Sequence, residues 1–384
     1  MRKNRRDFFA GLSRAGLGLF AGRQIAASQN MRLTPVLTPD IPDLPFTMDG
    51  QTKVFHLVAE PVKQAVVPGR IFDLWGFNGS APGPTIQANQ GDRVRIVFEN
   101  HLPEPTAIHW HGLEIAVEMD GVPGIAQKPV EPGGRFIYEF TLDQEGTYFY
   151  HSHMAMQEMI GMLGAFILHP KTPYTPRVDK DYVLMLQEYS VFPNNTVPNT
   201  MSMEYNWLTF NGKASPATTP LIIKLGDRVR VRLINLGMDH HPVHLHGFTF
   251  WETGHEGARQ PEALWARGNT ALVGVAQARD IEFVASRPGD WMLHCHLPHH
   301  MMNQMVPNVG PMYDPPKDAK LVPGFPQDAF MESPMMAMDK AVEKPENYGL
   351  PEGWSGYMGG MMTLVRVLPP DKYAEIMKLK EKRS

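Results

Sequence analysis

Short runs of alternating apolar and polar residues dominate this chain. Residues 53–58, 93–99, 135–141, 147–151 and 164–168, and later 221–225, 228–234, 280–284 and 291–294, are such runs, set among Gly, Pro and Asn. Period-2 runs bounded by turn residues read as strands, and their spacing predicts an all-β chain built as antiparallel sandwiches or barrels. Helical periodicity is confined to 372–382. Residues 31–45 read as an extended arm, and 169–179, with three prolines, as a linker between two domains. Residues 306–360 are rich in Pro, Met and polar residues, an irregular excursion before a last strand at 361–367.

The pattern occurs twice. Gly91-Asp92-Arg93-Val94-Arg95-Ile96 returns as Gly226-Asp227-Arg228-Val229-Arg230-Val231, and His109-Trp110-His111-Gly112 returns at the same offset as His244-Leu245-His246-Gly247. His151-Ser152-His153 is matched by His294-Cys295-His296 at a slightly larger offset, so the chain is a tandem duplication with a small insertion in the second copy.

Composition narrows the chemistry. A length of 384 residues allows two to three domains, and a net charge of −4 leaves no nucleic-acid footprint. One cysteine excludes an intrachain disulfide. Asn4-Arg5-Arg6-Asp7-Phe8-Phe9, followed by a mildly apolar stretch that ends in small residues, resembles a twin-arginine export signal over residues 1–30. A periplasmic protein follows from that resemblance. No other stretch is apolar for long enough to span a membrane.

The candidate chemistry is concentrated around the cysteine. Neighbouring side chains on a strand point to opposite faces, so Cys295 faces one way and His294 and His296 the other. One strand can thereby serve two metal sites. His300 and Met305 follow at five-residue steps and supply the imidazole and weak axial thioether of a trigonal blue-copper site, with His241 the candidate second imidazole. Four His-x-His pairs, His109/His111, His151/His153, His244/His246 and His294/His296, each place two rings on one face about 6–7 Å apart, a spacing suited to adjacent metals. Fifteen of the 25 methionines are bunched at 154–162, 301–312 and 331–362, and thioethers select cuprous copper.

HWHG, HSH, HPVHLHG and HCHLPHHMMNQM together resemble the two-domain, laccase-like multicopper oxidases, with loops similar to the copper-resistance branch, over about residues 54–311. The resemblance implies two tandem cupredoxin-like Greek-key β-sandwich domains. The first covers 45–170 and has Ser152 in place of the thiolate; the second covers 180–384 and includes the Met-rich segment 306–360. It implies four coppers: type 1 on His241, Cys295, His300 and axial Met305, with Met358, Met361 and Met362 as competitors for the axial place; type 2 on His109 and His244; and a type 3 pair on His111, His151 and His296, and on His153, His246 and His294. Asp120 in MDGVPG matches the family's proton-relay acid, while Met301 and Met302 stand where relatives often carry a second acid. The implied reaction couples oxidation of a phenol or cuprous ion to reduction of dioxygen to water, with Cys295 and Asp120 as catalytic residues and a role in copper tolerance. No spacer domain separates the two copies, so the implied assembly is a homotrimer with copper clusters at subunit interfaces. The rival readings are a copper nitrite reductase, which keeps its thiolate in the first domain, and a non-catalytic copper buffer.

Overall fold

Alternation builds two pairs of sheets, one pair from each copy. The structure, a computed structural model, describes residues 33–192, 195–303 and 337–383. The export-signal segment, Met305 and most of the Met-rich excursion lie outside the described residues.

In the first copy, Phe46–Asp49, Thr52–Val67, Arg93–Asn100 and Arg135–Thr141 lie side by side, with Arg70–Phe77 paired on Thr52–Val67. Facing them is a four-stranded sheet in the order Gly83–Asn89, Leu163–His169, Gly146–Ser152, Ile108–His111. The second copy repeats the plan. Lys180–Tyr189, Arg228–Asn235 and Gln277–Val284 centre one sheet, and Leu221–Lys224, Met362–Leu368, Gly289–Cys295, His241–Leu245 and Thr270–Val273 form the other.

The sheets are mixed rather than purely antiparallel, which corrects the expectation from alternation alone. Thr52–Val67 runs parallel to Arg93–Asn100, and Gly83–Asn89 parallel to Leu163–His169. The same two parallel pairs recur in the second copy. Between parallel partners the chain visits the opposite sheet, which supplies the long crossover that parallel pairing requires.

Each copy has its own core, one centred on Trp110, Tyr138 and Phe166 and one on Val243, Leu293 and Cys295. A third cluster joins them: Phe149, Leu163, Ala165 and Ile167 of the first copy meet Val183, Met185, Ile234 and Ala278 of the second. A buried ionic network reinforces this join. Arg232 forks onto Asp181 at 2.8 and 2.9 Å and reaches Thr147 across the boundary, and Thr147 also bonds Asp280. The arm contributes too, as Val36–Leu37 pairs in parallel with the start of Lys180–Tyr189.

The last strand is Met362–Leu368 and the only α-helix among the described residues is Pro370–Glu381, each within two residues of expectation. Pro370 fits the first helical turn, where its missing N–H costs nothing, and so moves the helix start forward.

Candidate metal centre

Strand pairing brings the cysteine and two histidines together. Val243 lies opposite Cys295 and His244 opposite His294. Alternation then turns His241, Val243 and Cys295 into the core and leaves His244 and His294 on the other face. The third corner comes from the short turn Pro298–Met301. His300 O accepts from Met361 N at 2.8 Å, and Met361 O accepts from Cys295 N at 3.0 Å, so the last strand clips the turn to the cysteine strand. Gly360 makes that clip possible. Its φ is +60°, and a Cβ there would lie 2.0 Å from His300 O.

Cys295 Sγ, His241 Nδ1 and His300 Nδ1 form a triangle with sides of 3.6, 3.5 and 3.3 Å, and all three residues are fully buried. A point equidistant from the three atoms lies about 2.0 Å from each, close to the ~2.0–2.3 Å at which imidazole and thiolate hold a d-block cation. Burial pushes the Cys295 thiol up to about 12 and, helped by His241, holds His300 down to about 3. A neutral imidazole is ready to ligate, whereas the thiolate at neutral pH needs a bound cation to offset its charge. His300 Nε2 is buried without a hydrogen-bond partner among the described residues. The donor set fits copper in a trigonal two-imidazole, one-thiolate site.

His241 is oriented by a residue that the sequence did not reveal. Its Nε2 donates to Glu188 Oε2 at 2.7 Å, which leaves the Nδ1 lone pair facing the triangle. Met305 lies outside the described residues. Of its competitors, Met361 is buried in the same cluster as Cys295, while Met358 and Met362 pack in a separate one with Met292 and Met301.

In each copy four imidazoles gather beside the paired strands, Ile108–His111 with Gly146–Ser152 and His241–Leu245 with Gly289–Cys295. His109 has ring-centre distances of 5.6, 5.4 and 5.4 Å to His111, His151 and His153. His244 has 4.8, 5.7 and 5.5 Å to His246, His294 and His296. The tautomers are fixed alike, with Nδ1 of His109, His151, His244 and His294 donating to the carbonyls of Asp120, Ser152, Asn269 and Cys295. Their Nε2 lone pairs are left free for a metal. His111 Nδ1 approaches His151 Nε2 at 3.4 Å, and His246 Nε2 approaches His294 Nε2 at 3.0 Å. Burial holds His111 down to about 4 and lowers His109, His246 and His294 as well, so these rings are neutral imidazoles rather than cations. Among the described residues, ring contacts run within each quartet and none joins one quartet to the other.

Two carboxylates reach the first quartet. Asp120 Oδ1 is 3.4 Å from His109 Nδ1. Gly121, at φ +84° and with no room for a Cβ beside Ile108 O, lets that loop lie against the strand. Glu158 Oε2 is 3.0 Å from His151 Nδ1. Position 158 stands to His151 as Met301 does to His294, so the duplication itself pointed to the acid that the second copy lacks.

The same comparison explains Ser152. Thr106, Ser152 and Gln157 occupy the places of His241, Cys295 and His300, and they are joined by hydrogen bonds of 3.1 Å (Thr106 to Ser152) and 2.7 Å (Ser152 to Gln157). Hydrogen bonds thus fill the corner where the second copy gathers its sulfur–nitrogen triangle.

Two family models described as multicopper oxidase match residues 62–173 and 190–310. The solved structure of the multicopper oxidase mgLAC is 31% identical, with a TM-score of 0.62, over 66% of this chain and 82% of that one. Copper resistance protein A of Pseudomonas syringae pv. tomato is 32% identical over 214 residues, 55% of this chain and 33% of the relative. A probable nitrite reductase-hydroxylamine oxidoreductase fusion protein of Kuenenia stuttgartiensis is 31% identical over 67% of this chain and 31% of its own length. The chain spans at most about a third of these curated relatives.

Proposed function

The chain belongs to the multicopper oxidase family, and from that premise we propose that it takes electrons singly from a small reductant and passes four to dioxygen, releasing water. One observation carries the reading. Cys295 closes a buried sulfur–nitrogen triangle on one face of its strand while its neighbour His294 belongs to an imidazole quartet on the other. Electrons that enter at the triangle therefore have a covalent path of adjacent residues to the quartet.

The proposed ligands are His241, Cys295, His300 and Met305 for type 1 copper and His109 and His244 for type 2. The type 3 pair is held by His111, His151 and His296, and by His153, His246 and His294. Bound copper supplies reversible one-electron exchange at the triangle and multi-electron reduction of dioxygen at the cluster. The chain's own residues do the rest. Ser152 O and Cys295 O hold the tautomers of His151 and His294, the core around Val243 and Leu293 keeps water from the triangle, and part-exposed Asp120 relays protons from solvent toward His109.

Four imidazoles from each copy are needed for one cluster, yet the quartets make no ring contact within a chain. The reading therefore includes a homotrimer in which the first domain of one chain (45–170) meets the second domain (180–384) of the next, a heterologous contact that closes as a ring. Exposed His153 and His296 support it, since each is free to face another subunit. Export through residues 1–30 and work in the periplasm belong to the same proposal. The reductant class is cuprous ion or a phenol. Cuprous ion is favoured by the bunched methionines and by the copper-resistance relatives.

A nitrite reductase is the second reading, favoured by the Kuenenia relative. The copper-loaded protein separates the readings: oxygen uptake with cuprous ion or a phenol, and no nitrite consumption under argon, are expected. Cys295→Ser should abolish the intense blue absorption and leave the imidazole-bound copper in place. A variant that stays blue, or a wild-type protein that consumes nitrite and not oxygen, would refute the assignment.

A further inference from the structure

Glu188 is a fully buried carboxylate surrounded by donors. Oε2 accepts from His241 Nε2 at 2.7 Å, and Oε1 accepts from the backbone N–H of Asp239 at 2.7 Å and from that of Met238. Three N–H donors converge on its two oxygens, the arrangement that holds a carboxylate. Gly237 allows the approach, since a Cβ there would lie 2.5 Å from Oε2. Among the described residues no Lys or Arg forms an ion pair with Glu188; its one ion-pair partner is His241. A buried charge without a counter-charge is costly, so the counter-charge has to arrive through His241, from the metal that its Nδ1 holds.

We propose that Glu188 is a positioning residue that sets a low reduction potential for the type 1 copper and so restricts the reductant to easily oxidised species. The inference rests on the oxidase reading above. The charge count gives the direction. With the Cys295 thiolate and the Glu188 carboxylate, a cupric ion makes a neutral buried group, and a cuprous ion leaves one net negative charge in a low-dielectric core. The oxidised state is therefore favoured. A carboxylate on the far side of a ligating imidazole also makes that ring a stronger donor, which again favours the higher oxidation state. The first copy supplies no counterpart, because Pro61 occupies the place of Glu188 when the parallel strand pairs are superposed by register. A low-potential site accepts electrons from cuprous ion and electron-rich hydroquinones, and not from phenols without electron-donating groups.

The test is a spectroelectrochemical titration of the blue band in copper-loaded wild type, Glu188→Gln and Glu188→Asp. Gln keeps an acceptor for the two backbone donors and removes the charge. It should favour the reduced state at least tenfold, ~59 mV for one electron, while Asp, charged but a methylene short, falls between. A retained blue band at unchanged potential in Glu188→Gln overturns the proposal and leaves the oxidase reading standing, whereas a wild type without a blue band sinks the reading itself. Should Glu188→Gln fail to load copper, the wild-type cuprous form decides. Its His241 Nε2 proton should resonate far downfield and exchange slowly in ¹⁵N-edited spectra, and an ordinary, fast-exchanging imidazole proton there overturns the proposal.

Discussion

Gly360 tests how the blue-copper corner is held. Gly360→Ala places a methyl carbon 2.0 Å from His300 O, 2.8 Å from its carbonyl carbon and 2.9 Å from Met302 N, all backbone atoms that cannot swing aside. Roughly an ångström of movement is needed. It must come from the segment whose His300 O···Met361 N bond clips the turn to the cysteine strand. Left-handed backbone costs an alanine about 1–2 kcal/mol and a lost buried hydrogen bond about 1–3 kcal/mol, so the expected destabilisation is about 2–5 kcal/mol. The triangle, with sides of 3.3–3.6 Å, should open as His300 shifts, and copper should bind without the blue band. Gly353→Ala is the control: it sits in the same stretch at φ +81° with nothing within 4 Å, so only the backbone strain applies. Urea unfolding of the metal-free proteins and absorbance per bound copper are the measurements. Equal destabilisation in the two variants, both fully blue, would refute the argument that Gly360 positions His300.

Arg232→Met should cost about 3–5 kcal/mol in chemical denaturation, because Asp181 and Asp280 stay buried with one cation fewer; a loss under about 1 kcal/mol would mean that Arg230 suffices. Asp120→Asn should slow dioxygen reduction by about a hundredfold or more in stopped-flow reoxidation, and leave anaerobic reduction of the blue band unchanged. Changing Met335, Met336 and Met338 together to Leu should lower turnover of cuprous ion and spare a bulky phenol; an equal loss on both, or none, would make these methionines structural.

Much of the fold was legible because several strands bury one face and leave the other wet. Arg93–Asn100 and Arg135–Thr141 announce themselves by alternation. Lys180–Tyr189 does not, since it is buried on both faces and reads as a continuous apolar run at 182–186 followed by Gln187 and Glu188. That is why Glu188 escaped notice: its partner His241 is 53 residues away, and only strand pairing joins them. The cysteine motif was legible because Cys295 and His300 are five residues apart. The parallel pairings were not, as periodicity carries no information about which distant strands become neighbours. Glu158 could have been found by aligning the copies through His151 and His294.

The corner formed by Thr106, Ser152 and Gln157 has a consequence for the direction of electron traffic. The fold offers two frames for an electron port, one per copy, and on the proposed assembly both would open onto the same cluster from opposite sides. Closing one frame with hydrogen bonds would leave each cluster of that assembly a single feed, and every electron would arrive from the chain that contributes the cysteine strand. The other chain lends four imidazoles and two carboxylates and no current. Each subunit in the proposed ring would be a donor to one neighbour's histidines and a host for the other's electrons, and the circuit would have a handedness that a chain with two thiolates would lack.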